Sequence, residues 1–392
     1  MIIRENNSIL KALLAIAFFI YSSIGHANGT IGDNSASEFV PSVIEPLMQA
    51  WNIPGMSVAV IADGESRVFN FGVASRETKQ PVSDDTLFEV GSIARTFTAT
   101  LAAYAELEGK LSLSDSVSDH LPALKGGSFE NVTLLNLATH TSGLALHVPV
   151  GIATIAELAD YCRDWEPPYA AGMYRRRSDL GVGLLGIVAA KAAESSYAAA
   201  AEKRLFRPLG MNRTYADVPK RRWIDYAQGY TSSDLPTRMR AGLLASPSDG
   251  VKSRAADLAR FLQANMEMLE IDEMVQRAIT NTHTSYFKAG DVTQGLVWEQ
   301  YPYPVTLERL LAGNSASMMI GSVPATRLKP PFPPRRTVLI NKVGSTEGFS
   351  AYVAYVPSKE IGVVLLANKS FPIAERVQAG YRIIEKLGQL SP

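Results

Sequence analysis

The chain has 392 residues, enough for one large domain or two, and 46% of them are hydrophobic, the proportion of a globular protein. Lys plus Arg number 38 and Asp plus Glu number 38, so the net charge is zero and neither a nucleic-acid partner nor a basic membrane-binding surface is indicated. The single cysteine, Cys162, excludes an internal disulfide and, in a helical-looking run, reads as a small buried apolar residue.

The first segment has the pattern of a secretory leader. Arg4 and Lys11 supply positive charge, residues 12–21 are an unbroken apolar run, and Gly25-His-Ala27 is a small-x-small cleavage site. Residues 1–27 are therefore expected to be removed, leaving 28–392 as the mature chain. The apolar run is short for a bilayer span, and no later segment is long and apolar enough for one. A leader without disulfides behind it fits a bacterial periplasm.

Two β-rich runs, 57–62 and 67–72, meet across Asp63-Gly64 as a hairpin. A turn at 83–86 delivers the chain to Leu87-Phe-Glu-Val-Gly-Ser-Ile-Ala-Arg-Thr-Phe-Thr98, and 96–107 has the apolar spacing of a helix. A polar excursion follows at 109–115, and 133–265 reads as mainly helical, with loops at 165–168 and 207–210. Residues 254–268 form an amphipathic pattern, and the Pro-rich run 321–336 is expected to break regular structure. Strands are expected at 337–341, 349–356 and 361–367, with a turn at 357–360 and a closing helix at 375–387. Strands at both ends with helices between imply one α+β sheet built from both termini, with a helical region against one side.

Ser92 follows a glycine and precedes the 96–107 helix. By itself it reads either as an ordinary N-cap or as a nucleophile placed where backbone N–H groups and the helix dipole favour an oxyanion. His120, His147 and His283 show no metal-ligand spacing, and no phosphate-cradling or dinucleotide-binding glycine pattern is present.

Ser92-Ile-Ala-Arg95 resembles the Ser-x-x-Lys motif of the penicillin-recognising serine enzymes, with Arg in the Lys position, and Lys342-Val-Gly344 resembles their Lys-Thr-Gly. Ile53-Pro-Gly-Met-Ser-Val-Ala-Val60, Leu137-Ala-Thr-His-Thr-Ser-Gly143, Gly183-Leu-Leu-Gly186, Gly250-Val-Lys-Ser253 and Leu366-Ala-Asn-Lys-Ser370 extend the resemblance over essentially the whole chain after the leader. In order and spacing the chain resembles class C β-lactamases.

The resemblance implies a β-lactamase/transpeptidase-like fold and hydrolysis of penicillins and cephalosporins, the chemistry of antibiotic resistance, through an acyl-enzyme on Ser92. It implies a monomer acting on a small β-lactam or D-alanyl peptide, without metal or other cofactor. Ser92 matches the nucleophile, and the N–H groups of Ser92 and Ser345 match the oxyanion hole. Lys342 and Gly344 match the strand that meets the substrate, Lys342 receiving its carboxylate. Arg376 matches a substrate-side position near the C-terminus.

The family's base is where the match fails. Arg95 stands for the lysine, and the Tyr-x-Asn position falls on Arg177-Ser178-Asp179. An arginine is always protonated and cannot accept the serine proton. Asp179 is expected to screen Arg95 and Arg177, leaving about two positive charges as in the family. His140 is a second possible base, although a structural role fits its loop better. Turnover is therefore expected to be impaired. The alternatives are a non-catalytic β-lactam or cell-wall-peptide binding protein, and an esterase or D-alanyl peptidase of the same fold.

Overall fold

The computed structural model describes residues 32–240 and 242–390; the leader and its cleavage site lie outside the described residues. Fourteen elements position the site. They are α1 (Gly32–Ala50), β1 (Gly55–Ala62), β2 (Glu65–Gly72), α2 (Ala94–Leu107), α3 (Asp179–Ala192), α4 (Ala255–Asn265), β3 (Ser285–Ala289), β4 (Val292–Gln294), β5 (Glu299–Pro302), β6 (Thr326–Phe332), β7 (Val338–Ser345), β8 (Ser350–Val356), β9 (Ile361–Ala367) and α5 (Ile373–Leu390).

The strands form one nine-stranded sheet in the order β6-β3-β4-β5-β7-β8-β9-β1-β2. Its neighbours are antiparallel, and β1 joins the two chain ends by pairing with β9 from Met56↔Ala367 to Ile61↔Gly362. The expected sheet from both termini is present. The hairpin across Asp63-Gly64 is present too, with Asp63 and Gly64 both at positive φ, as a tight turn into a twisted hairpin requires.

The central strands are buried on both faces, and β1 shows how. Val58 and Val60 point into a core closed by α1 and α5, whereas Ala59 and Ile61 point into the larger core shared with α2, α3 and α4. Helices thus cover both faces, and the candidate site lies between the sheet and the larger helical region.

Three elements depart from expectation. The Pro-rich stretch does not stay irregular: Thr326–Phe332 pairs with β3 as the sheet's outermost strand. Proline is tolerated there because an edge strand leaves one row of N–H groups unpaired, and the register shifts between Arg327 and Phe332. The strands β3, β4 and β5 interrupt the reading of strands at the chain ends alone, because buried polar residues such as Gln294, Glu299 and Gln300 mask the apolar pattern. The N-terminal helix α1 carries Pro41 and Pro46 within it, which hides its helical character.

Candidate active site

Ser92 lies in a single 3-10 turn, Gly91–Ile93, that runs directly into α2. Gly91 has φ +52°, a left-handed conformation that costs a side chain dearly. A Cβ on Gly91 would collide with the backbone of Ser345, and one on Gly344 with the carbonyl of Val90. The two glycines let the nucleophile turn and the end of β7 touch backbone to backbone. This contact brings the Ser92 turn against Ser345, the residue that ends β7.

The Ser92 hydroxyl donates to Asp249 Oδ1 at 2.9 Å. Asp249 ends the short helix Ala245–Ser248 and immediately precedes the Gly250-Val-Lys-Ser253 run. Arg95, one turn after Ser92, is buried and knits three segments together. Its Nε donates to the Ser248 carbonyl at 3.3 Å, and its Nη2 donates both to Asp249 Oδ1 at 2.9 Å and to Asp179 Oδ1. Burial pulls the guanidinium pKa down, but Asp249 and Asp179 outweigh it and leave it raised. Arg95 is a fixed cation and no proton acceptor.

Asp179 is the first residue of α3, whose N-cap Ser178 accepts from Gly181 N at 2.8 Å. A carboxylate at this end is favoured by the helix dipole. Its second oxygen meets His147 Nδ1 at 2.6 Å. Burial raises the Asp179 pKa, but Arg95, His147 and Arg177 together hold it below the usual carboxylate value. The hydrogen bond to Asp179 in turn raises the pKa of His147, whose ring is largely exposed.

Behind this group lies a second charged cluster. Glu299 Oε1 receives Arg175 Nη2 at 2.6 Å and Lys342 Nζ at 3.1 Å, with all three side chains buried. Burial works against the Glu299 carboxylate, yet Lys342, Arg175 and Arg177 bring its pKa down to about 2. The Lys342 pKa lies well below the ordinary lysine value because of burial and the nearby Arg177, with Glu299 pulling the other way.

An open cleft of about 660 Å³ runs along the front, lined among others by His147, Asp179, Arg238, Asp249, Ser345 and Glu347. Lys342 is closed off, and its ammonium is bonded to Glu299. Of the two arginines, Asp179 bonds Arg95 directly and acts on Arg177 through its charge without a bond. Arg177 donates to the Met319 thioether at 2.6 Å, and burial brings its pKa down to about 10. Arg177 precedes α3 by two residues in extended chain and follows Arg175 toward Glu299, whereas Asp179 has already turned into the helix. Arg376 is buried behind β7, donating to the carbonyls of Gly344 and Phe371 and to Ser345 Oγ at 3.1 Å. It braces the strand end rather than lining the cleft. The charge balance also changes, since Arg95, Arg175, Arg177 and Lys342 are set against Asp179, Asp249 and Glu299.

His140 is buried at φ +60°, and its Nδ1 accepts from Ser178 N at 3.3 Å. Burial and the surrounding cations Lys342, Arg95, Arg175 and Arg177 keep its pKa well below the usual histidine value. It is a neutral structural ring that supports the N-cap of α3. Sequence reasoning missed Asp249, His147, Glu299 and Arg175. The only signal for Asp249 was its place beside Gly250.

A serine on a short turn that runs into a buried helix, set against the end of an antiparallel strand at the wall of an open cleft, is the arrangement of the penicillin-recognising serine proteins. The chain belongs to the β-lactamase family, whose family model, "Beta-lactamase", matches residues 40–387. It is 44% identical over 348 residues to a β-lactamase of Providencia stuartii, covering 89% of this chain and 91% of that one. It is 41% identical over 384 residues to a β-lactamase of Lysobacter lactamgenus, covering 97% and 100%. A class C β-lactamase solved in complex with cefoxitin superposes with TM-score 0.88 at 47% identity, over 90% of this chain and 99% of that one. A D-alanine carboxypeptidase from Burkholderia cenocepacia superposes with TM-score 0.87 at 49% identity, over 90% and 99%. The fold is that of the class C β-lactamases and D-alanyl carboxypeptidases, and no helix among the described residues is long and apolar enough to cross a membrane.

Proposed function

We propose that the mature chain, 28–392, is a periplasmic serine hydrolase that is acylated on Ser92 by penicillins, cephalosporins or D-alanyl peptides and turns the acyl-enzyme over slowly. The observation that supports this reading is the backbone contact between Gly91 and Ser345, which sets the Ser92 turn against a residue of the cleft wall. The structural relative solved with cefoxitin and the β-lactamases among its curated relatives support β-lactams as the substrate class. The carboxypeptidase relative supports D-alanyl peptides on the same centre.

Slow turnover follows from the charges. Arg95 and Arg177 stand where the family's proton-transfer pair stands, and neither gives up a proton near neutral pH. Losing general-base assistance is worth about 10² to 10⁴ in rate. With Lys342 bonded to Glu299, the carboxylate of a substrate is left to cationic side chains of the cleft wall such as Arg238.

Intact-protein mass after incubation with benzylpenicillin tests the proposal. A stoichiometric adduct mapped to Ser92, abolished in Ser92→Ala and decaying over minutes or longer, is the expected result. A chromogenic cephalosporin consumed as fast as by ordinary class C enzymes would remove the claim of impairment. An adduct that never decays would favour a binding protein, and a peptide or ester turned over while penicillin leaves no adduct would favour the peptidase or esterase.

A further inference from the structure

Among the described residues, the Ser92 hydroxyl finds one hydrogen-bond acceptor, and it is a carboxylate. Asp249 Oδ1 lies 2.9 Å from Ser92 Oγ and 2.9 Å from Arg95 Nη2. An ionised carboxylate only accepts, so the direction of the bond is fixed: the serine proton points at Asp249 and the oxygen lone pairs stay available on the other side. We infer that Asp249 is the general base of this enzyme, taking the Ser92 proton in place of the lysine and tyrosine that the chain has lost. The inference rests on the reading of Ser92 as nucleophile.

The geometry meets the first requirement of a base, hydrogen-bond reach to the proton it removes. Arg95 Nη2 fixes the Asp249 carboxylate in that position, and the same nitrogen also meets Asp179, with His147 beyond it. The substitution of lysine by arginine then has a physical sense. A lysine at this place would be held mostly protonated between two carboxylates and would be a hindered base, whereas an arginine is a permanent cation that orients them. Asp249 faces the cleft beside Ser345, so it can also reach a leaving group or a water.

The steps balance without any further reactant. As Ser92 Oγ bonds to the acyl carbon, its proton passes to Asp249 Oδ1 and the carbonyl π pair moves onto oxygen, facing the N–H groups of Ser92 and Ser345. The tetrahedral species collapses by breaking the carbon–nitrogen bond, and Asp249 returns the same proton to the leaving nitrogen. Water then repeats the sequence: its proton goes to Asp249 as its oxygen adds to the acyl carbon, and from Asp249 to Ser92 Oγ as the ester bond breaks. A carboxylate is a weaker base than a neutral amine, so the same residue explains why chemistry persists and why it is slow.

The test measures second-order labelling of Ser92 in the full mature protein by a fluorophosphonate and, separately, by a fluorescent penicillin. The fluorophosphonate reports an activated serine whatever the natural substrate. Asp249→Asn keeps the acceptor and the shape of the side chain but cannot take a proton, and is expected to slow fluorophosphonate labelling by about 10² to 10⁴, with the unfolding midpoint lowered no further than in Asp179→Asn, since Arg95 then keeps Asp179. If the Asn variant does not fold, Asp249→Ala is labelled in sodium formate and in sodium chloride; faster labelling in formate supports the inference, and equal labelling overturns it. Labelling of Asp249→Asn at or above the parent rate overturns it, because Asp249 would then only tether the hydroxyl. Failure of the parent to react with the fluorophosphonate also overturns it. Reaction with the fluorophosphonate but not with penicillin leaves Asp249 as base and removes the β-lactam reading.

Discussion

Lys342 Nζ and Glu299 Oε1 stand 3.1 Å apart with both side chains closed to solvent. Arg175 shares the same carboxylate oxygen, so Glu299 is the common counter-ion of two buried cations. Glu299→Gln leaves both without it, and a loss of about 3–5 kcal/mol is expected, the range for breaking a buried charge group by removing one partner. The Glu299 pKa is lowered to about 2, so its contribution is fully present above the pKa of the unfolded chain and is lost as pH falls toward that value. Denaturant midpoints of parent and variant, compared at pH 7 and near pH 3, should converge at the lower pH. Equal midpoints at pH 7 would show that Glu299 is not the counter-ion.

Asp179→Asn is expected to cost about 1–3 kcal/mol. Arg95 retains Asp249 in this variant, which keeps the loss below that of Glu299→Gln. A midpoint unchanged or raised would remove Asp179 as the partner of Arg95.

His147 supplies a pH signature. Its pKa is raised, chiefly by the hydrogen bond to Asp179, so the stabilisation it brings is present below the unfolded histidine pKa and fades as pH rises through the folded one. His147→Gln should therefore lower the thermal midpoint more at pH 5.5 than at pH 8.5. In Asp179→Asn the His147 titration, followed by NMR, should move toward lower pH. A titration that stays in place would separate His147 from Asp179.

Restoring the family's proton-transfer pair tests the loss of turnover. Arg95→Lys combined with Arg177→Tyr should raise cephalosporin hydrolysis by more than the two single changes together, since the pair would share one proton. Asp179 and Asp249 both face position 95, and would hold a lysine there protonated. Adding Asp179→Asn to the double variant should therefore raise the rate further. A folded triple variant that neither acylates nor turns over would mean that the cleft does not admit the drug.

Gly91→Ala should be more damaging than a one-carbon change suggests. A side chain in the left-handed region costs roughly 1–2 kcal/mol, and the new Cβ must displace Ser345. Penicillin labelling of Ser92 should fall at least tenfold, with a lower unfolding midpoint. Labelling at the parent rate would show that the Ser92–Ser345 seam is not needed for acylation.

The sheet was legible wherever apolar residues ran in strands of ordinary composition, as in 57–62 and 361–367, which fall within Gly55–Ala62 and match Ile361–Ala367. It was not legible where charge is buried. Glu299 and Gln300 look like loop residues until Arg175, Lys342 and Ser285 are seen to satisfy them. Ser92 and Arg95 were readable because local chain order carries their meaning. Asp249 was not, since its hydrogen bond joins it to a residue 157 positions away, and nothing near it in sequence states that partner. Arg177 and Asp179 were placed correctly along the chain but were assumed to face one another; the start of α3 between them turns the two side chains apart.

The bare backbone seam at Gly91 and Gly344 makes the reactive centre the joint property of two layers, neither of which holds it alone. A slip of a fraction of an ångström between the Ser92 turn and the end of β7 would part the two N–H groups proposed as oxyanion donors while leaving every helix and strand intact. Loss of acylation on mild heating should consequently precede loss of secondary structure, so that the enzyme's own reactivity serves as the most sensitive gauge of how firmly its helical half is seated on its sheet.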